Sequence, residues 1–170
     1  MDPRFAARRL GIQLGVTFKP IRVEGHSGCV AELGSHAEML EKARPLAVEM
    51  EKSGSVLLVG ARADDGPHRL YLLPVGSLET IRLFRVGTHN APDDAWREVE
   101  ASLQRIHREA PFSVYFADEA GYKAAFAGEV DVATAKRFEE IILQINIEAL
   151  ALGPVWKKIR KEGMFELWWD

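Results

Sequence analysis

One order of elements occurs twice in this 170-residue chain and limits its fold more than any other feature: a capped amphipathic helix, then two short β-rich runs. Ser35, with Glu38 three residues on, forms a capping box, and Met39, Ala43, Leu46, Ala47 and Met50 recur at helical spacing as far as Gly54. Residues 55–60 and 69–75 then read as strands around a turn at 64–67. Later, Asn90 and Asp93 cap a helix with Trp96, Val99, Leu103 and Ile106 on one stripe; Pro111 opens a strand through Ala117, and residues 122–127 pair back. Ser55-Val56 aligns with Ser113-Val114, but few other side chains match, so the two units share an architecture rather than a repeat. The expected fold is α+β, an α/β sandwich with a mixed, largely antiparallel sheet and helices packed mainly on one face.

The remaining segments fit around these units. Pro3 starts a short helix to about Leu14, an appendage with Phe5 and Leu10 turned inward. Residues 17–24 and 28–33 form a hairpin, Pro20 marking the first strand as an edge. Pro45 is expected to kink the first long helix. Asp131 caps the most hydrophobic helix, with Ala135, Phe138, Ile142, Ile145 and Ala149 on one face, and Gly153-Pro154 breaks it. A short basic helix follows, Gly163 ends it, and residues 164–170 read as a strand. Residues 77–86 admit two readings: Ser77 and Glu79 suit the start of a short helix, the favoured reading, whereas residues 81–86 alternate as a strand would.

Length and composition, 47% hydrophobic and 28% charged, suit one domain over residues 1–170, with 1–15 as the helical appendage and 35–170 as the core. Cys29 alone supports neither a disulfide framework nor a thiolate zinc site, and with no signal peptide or membrane-spanning run the chain reads as cytoplasmic. The net charge of −3 is unevenly spread: residues 89–148 hold 6 basic and 12 acidic side chains. Such a surface disfavours nucleic acid and attracts basic partners, although acidic faces on solvated helices would give the same count.

The last six residues, FELWWD, set two tryptophans beside a carboxylate. In a strand, Phe165, Leu167 and Trp169 share one face, and Glu166, Trp168 and Asp170 the other. Phe112, Val114 and Phe116 likewise oppose Ser113, Tyr115 and Ala117. If helices cover one side only, Tyr115 and Trp168 project from the open side as a binding platform. The competing reading packs Trp168 beneath a loop or the first helix.

The segment FSVYFADEAGYKAAFAG, with its Tyr115 to Asp118 step, and the closing Leu167, Trp168, Trp169 and Asp170 resemble a bacterial family known as a domain of unknown function (number four-two-five-three). The resemblance covers residues 35–170. It implies an α/β sandwich, sometimes encoded in the company of toxin and immunity genes, with no established reaction. The family's Cys-Pro-Asp turn after the long helix is replaced here by Ile145, Asn146, Ile147 and Glu148.

Catalytic patterns are sparse. His26, His36, His68, His89 and His107 show no metal-site spacing, and there is no serine elbow, P-loop or dinucleotide glycine fingerprint. His36, at a helix start, reads as solvent-facing, and Cys29 as a small buried residue. The expectation is therefore a non-enzymatic protein-binding domain: an immunity protein neutralising a basic toxin domain, without cofactor, metal, nucleic-acid or membrane partner. Its interface residues would be Tyr115, Asp118, Glu119, Glu166, Trp168 and Asp170. The alternative is a small hydrolase or transferase with a cleft around His89, Asp93 and Asp118. A third reading is an oligomer formed through the edge of the last strand.

Overall fold

A computed structural model describes residues 3–62, 67–89 and 95–169. Its strands are β1 (Lys19–Val23), β2 (His26–Ala31), β3 (Val56–Gly60), β4 (Arg69–Leu73), β5 (Phe112–Ala117), β6 (Gly121–Phe126) and β7 (Met164–Trp168). The helices are α1 (Pro3–Leu14), α2 (His36–Lys52), α3 (Thr80–Leu83), α4 (Ala95–Glu109), α5 (Val132–Ile145) and α6 (Val155–Glu162), with a 3-10 turn at Ile147–Leu152. The strands form one sheet in the order β1-β2-β4-β3-β5-β6-β7; only β3 and β5 run parallel, and every other neighbouring pair is antiparallel. The α+β class and the largely antiparallel mixed sheet are those the sequence implies.

Local chemistry accounts for the boundaries. The Ser35 hydroxyl accepts the Glu38 N–H at 3.3 Å to start α2, and Asp131 accepts the Thr134 N–H at 2.9 Å to start α5. Helix α6 ends at Gly163, whose φ of 64° is left-handed. Between β1 and β2 only Glu24 and Gly25 intervene, both at positive φ, as a two-residue hairpin turn requires. Of the two readings of residues 77–86 the short helix is the one found, as α3, and α2 continues past Pro45. The expected Asn90 and Asp93 cap, and most of the 64–67 turn, lie outside the described residues.

Helices cover both faces of the sheet. Four of them, α3 to α6, pack on one face around Val114, Tyr122, Phe126, Phe165 and Leu167. The other two cover the opposite face: Ala6, Ala7, Leu10 and Leu14 of α1 and Met39, Ala43, Ala47 and Met50 of α2 pack over Leu57, Val59, Leu70, Leu72 and Tyr115. The open platform expected around Tyr115 is thus corrected. Tyr115 is 4% exposed, and its hydroxyl donates to Met164 Sδ at 3.3 Å. Four apolar side chains on one face of α2 need cover as much as the sheet does, and the two bury each other.

Two further departures shape the site. The β5–β6 register slips between Val114 and Phe116, a β-bulge that turns Phe116 to the same side as Tyr115 and Ala117 to the side of Val114. The expected alternation therefore fails at its last two residues. Helix α5 also stops earlier than expected, at Asn146 rather than at Gly153-Pro154, so Ala149 is buried from the 3-10 turn instead. Asn146 leaves helical geometry (φ −152°) and pairs with the backbone of one residue of β7: its side-chain amide donates to the Trp168 carbonyl at 2.7 Å, and its side-chain oxygen accepts the Trp168 N–H at 3.3 Å.

Candidate functional site

Beyond the carboxyl ends of the parallel pair β3 and β5, the end at which open α/β sheets gather ligands, several polar and aromatic side chains meet. His36 opens α2, His68 precedes β4, Asp118 follows β5, and Gly121 and Lys123 begin β6. The imidazoles of His36 and His68 stack at 4.4 Å, and Phe116, brought over by the bulge, lies 5.4 and 5.5 Å from them. Lys123 Nζ stands 5.8 Å over the Phe116 ring.

Asp118, 7% exposed, has both carboxylate oxygens engaged. One accepts the Ala120 N–H at 3.0 Å and shapes the β5–β6 turn; the other meets His68 Nε2 at 2.8 Å. In the tautomer that donates Nε2–H to Asp118, Nδ1 of His68 is left with a lone pair that can accept a hydrogen bond. His36 is solvent-facing, as the sequence implies, yet it is held more readily neutral than an ordinary histidine, first by partial desolvation, then by the adjacent His68 and Lys123, with Asp118 opposing.

On the β7 side, Gly121 pairs with Trp168, and a side chain in place of Gly121 would collide with the rings of both Phe116 and Trp168. The glycine thus lets the two aromatics close over the strand. Trp168 is 42% exposed. Glu166 lies on the same side, bound to Lys123 at 3.2 Å and to Lys158 of α6. Burial raises the affinity of Glu166 for a proton, but the two ammonium groups outweigh it and hold the carboxyl below its usual range.

Of the expected interface residues, Asp118, Glu166 and Trp168 thus belong to one neighbourhood. Tyr115 lies beneath it, and Asp170 is outside the described residues. Glu119 turns elsewhere: its backbone carbonyl accepts the N–H groups of Gly87 and His89, and its half-exposed carboxylate lies 4.0 Å from His89 Nδ1. The cleft expected around His89, Asp93 and Asp118 is corrected to this extent: the histidine on Asp118 is His68, and Asp93 lies outside the described residues. Cys29 is buried, as expected. The acidic side chains of α4 and α5, including Glu98, Glu109 and Glu140, lie on the face of the sheet opposite Trp168.

Comparison with protein-family models, curated proteins and solved structures gave no match. The site therefore has to be read from its own chemistry. Sequence reasoning missed His68, Phe116, Lys123 and Lys158, and treated His36 only as a solvent-facing cap neighbour. His36 meets His68 across 32 residues of chain and His68 meets Asp118 across 50, so no local spacing marks them. Phe116 was placed on the wrong side because a bulge leaves no trace in an alternating pattern.

Proposed function

We propose that this chain is a non-enzymatic protein-binding domain, and that its role is that of a bacterial immunity protein that neutralises a toxin by direct contact. The observation that carries the binding reading is Trp168, a tryptophan left 42% exposed on a strand whose backbone is hydrogen-bonded on both sides. Large aromatic side chains held rigidly at a surface lose little entropy on binding and are typical interface anchors. Glu166, fixed between Lys123 and Lys158, and the His36–His68 stack surround it with charged and hydrogen-bonding groups. The neutralising role adds the resemblance of residues 35–170 to a family sometimes encoded in the company of toxin and immunity genes. Because the acidic helices face the other way, the contact with a partner at Trp168 would rest on aromatic packing and local pairing rather than on bulk charge.

The test is capture of the partner from the native bacterium by the tagged chain, in parallel with Trp168→Ala. The captured protein would then be purified, its affinity measured for both forms, and its toxicity assayed alone and with this chain. The expected loss for Trp168→Ala is about 2 kcal/mol or more in affinity with an unchanged melting temperature. Equal binding by both forms would refute the Trp168 interface; a partner harmless on its own would refute the neutralising role.

A second reading rests on the His68–Asp118 pair. A histidine oriented by a buried carboxylate is the arrangement of a general base, and it would serve a hydrolase or transferase acting at the same end of the sheet. Toxin neutralisation that survives Asp118→Asn would separate the binding role from this one.

A further inference from the structure

At the other edge of the sheet, α1 carries two large apolar side chains that its packing does not use. Ala6, Ala7, Leu10 and Leu14 bury the inner side of this helix against the sheet. Phe5 and Ile12, by contrast, are 67% and 80% exposed. The expectation that Phe5 points inward is thereby corrected. Phe5 and Ile12 are seven residues apart, two helical turns, and so lie on one side of the helix, with Arg8 and Arg9 exposed between them. Helix α1 contains three arginines and no acidic residue, and Arg9 has only a loose contact, 3.8 Å, with the exposed Glu49.

An apolar pair separated by arginines, on a helix whose opposite side is fixed to the protein, is suited to a surface that is greasy and anionic at once. We propose that the outer side of α1 docks this protein peripherally on an anionic lipid surface. Phe5 and Ile12 enter the boundary between headgroups and acyl chains, and Arg8 and Arg9 meet the headgroup phosphates. No spanning segment is needed, and none of the described helices is long and apolar enough to be one. The groove beside the helix, about 460 Å³ and walled by Arg8, Ile12, Val16, Phe18 and Pro20, gives displaced headgroups a place on the protein side. The docking face lies over β2 and β4, separated from β7 in the sheet by β3, β5 and β6.

The experiment is co-sedimentation of the full chain with phosphatidylcholine vesicles containing phosphatidylglycerol, and with pure phosphatidylcholine vesicles. Binding is expected to the anionic vesicles, weakening as salt is raised. The double variants Phe5→Ser with Ile12→Ser, and Arg8→Gln with Arg9→Gln, should each lose at least about tenfold in affinity. All four residues are surface side chains, so far-ultraviolet circular dichroism and melting should match the parent. Failure to sediment with anionic vesicles would overturn the proposal, as would undiminished binding by the Phe5/Ile12 variant or equal binding to neutral vesicles. Absence of vesicle binding, together with self-association that the Phe5/Ile12 variant abolishes, would also overturn it and make this face a contact between copies of the chain.

Discussion

Replacing Asn146 by alanine isolates the device that holds β7 in place. Asn146 is 3% exposed and makes two hydrogen bonds to the backbone of one residue, at 2.7 Å to the carbonyl and 3.3 Å to the N–H of Trp168. A net hydrogen bond contributes about 1 kcal/mol, the longer one less, and a peptide group left buried without a partner costs about 1–3 kcal/mol more. Water reaches the exposed flank of Trp168, which relieves part of that second cost, so the expected loss is about 2 kcal/mol and no more than about 4 kcal/mol. Urea unfolding followed by tryptophan fluorescence should show this as a lower midpoint at unchanged slope. Asn146→Asp supplies the control: it keeps the acceptor for the N–H but sets a carboxylate against the Trp168 carbonyl. At neutral pH it should therefore cost more than Asn146→Ala, and part of that excess should vanish once the carboxyl is protonated. An alanine variant within about 0.5 kcal/mol of the parent, or an aspartate variant milder than alanine, would refute the reasoning.

Two other outcomes follow from the site. In Gly121→Ala the new methyl group would come to 2.7 Å from Phe116 and 2.9 Å from Trp168; Phe116 is fully buried and Trp168 can swing outward. The expected cost is about 1–3 kcal/mol, with a red shift in tryptophan emission; an unshifted spectrum at parental stability would show that the rings are not closed over the glycine. The second outcome concerns pH. Because burial, His68 and Lys123 lower the His36 pKa from 6.5 in the folded state, the unfolded chain takes up this proton first. The contribution of His36 is complete above 6.5 and is lost as pH falls from there through the folded value. His107, lowered by burial, acts with the same sign, and Glu166 adds a loss in the more acidic carboxylate range. His36→Gln should flatten the decline in unfolding free energy just below 6.5 without abolishing it; an identical decline in the variant would show that His36 has no part in it.

Much of the fold was legible because its signals are local. The Ser35 and Asp131 caps, the stripe of Val99, Leu103 and Ile106, and the opposition of Phe165 and Leu167 to Trp168 all follow from residues a few positions apart. What could not be read depends on choices between distant segments. That α1 and α2 close over the face bearing Tyr115 is decided by packing, because an amphipathic stripe does not say which sheet face it will meet. Periodicity alone would have carried α5 past Asn146, but its paired bonds to the Trp168 backbone in β7 stand where another turn of helix would begin. The candidate site was legible only in part: the alternation in β7 brought out Glu166 and Trp168, whereas the His36–His68–Asp118 contact exists only after the start of α2, the approach to β4 and the end of β5 have converged.

The two margins of the sheet carry a consequence for how copies of this molecule can meet. An exposed strand margin is a template on which another chain can add itself, and runaway addition leads to fibres. On one side Pro20 interrupts β1 with a residue that has no N–H to offer. On the other, the side-chain amide of Asn146 occupies the N–H and the carbonyl of Trp168 as a neighbouring strand would. Both growth fronts are thus blunted by a single residue each, and assembly through helices or through exposed side chains is favoured over continuation of the β-ladder.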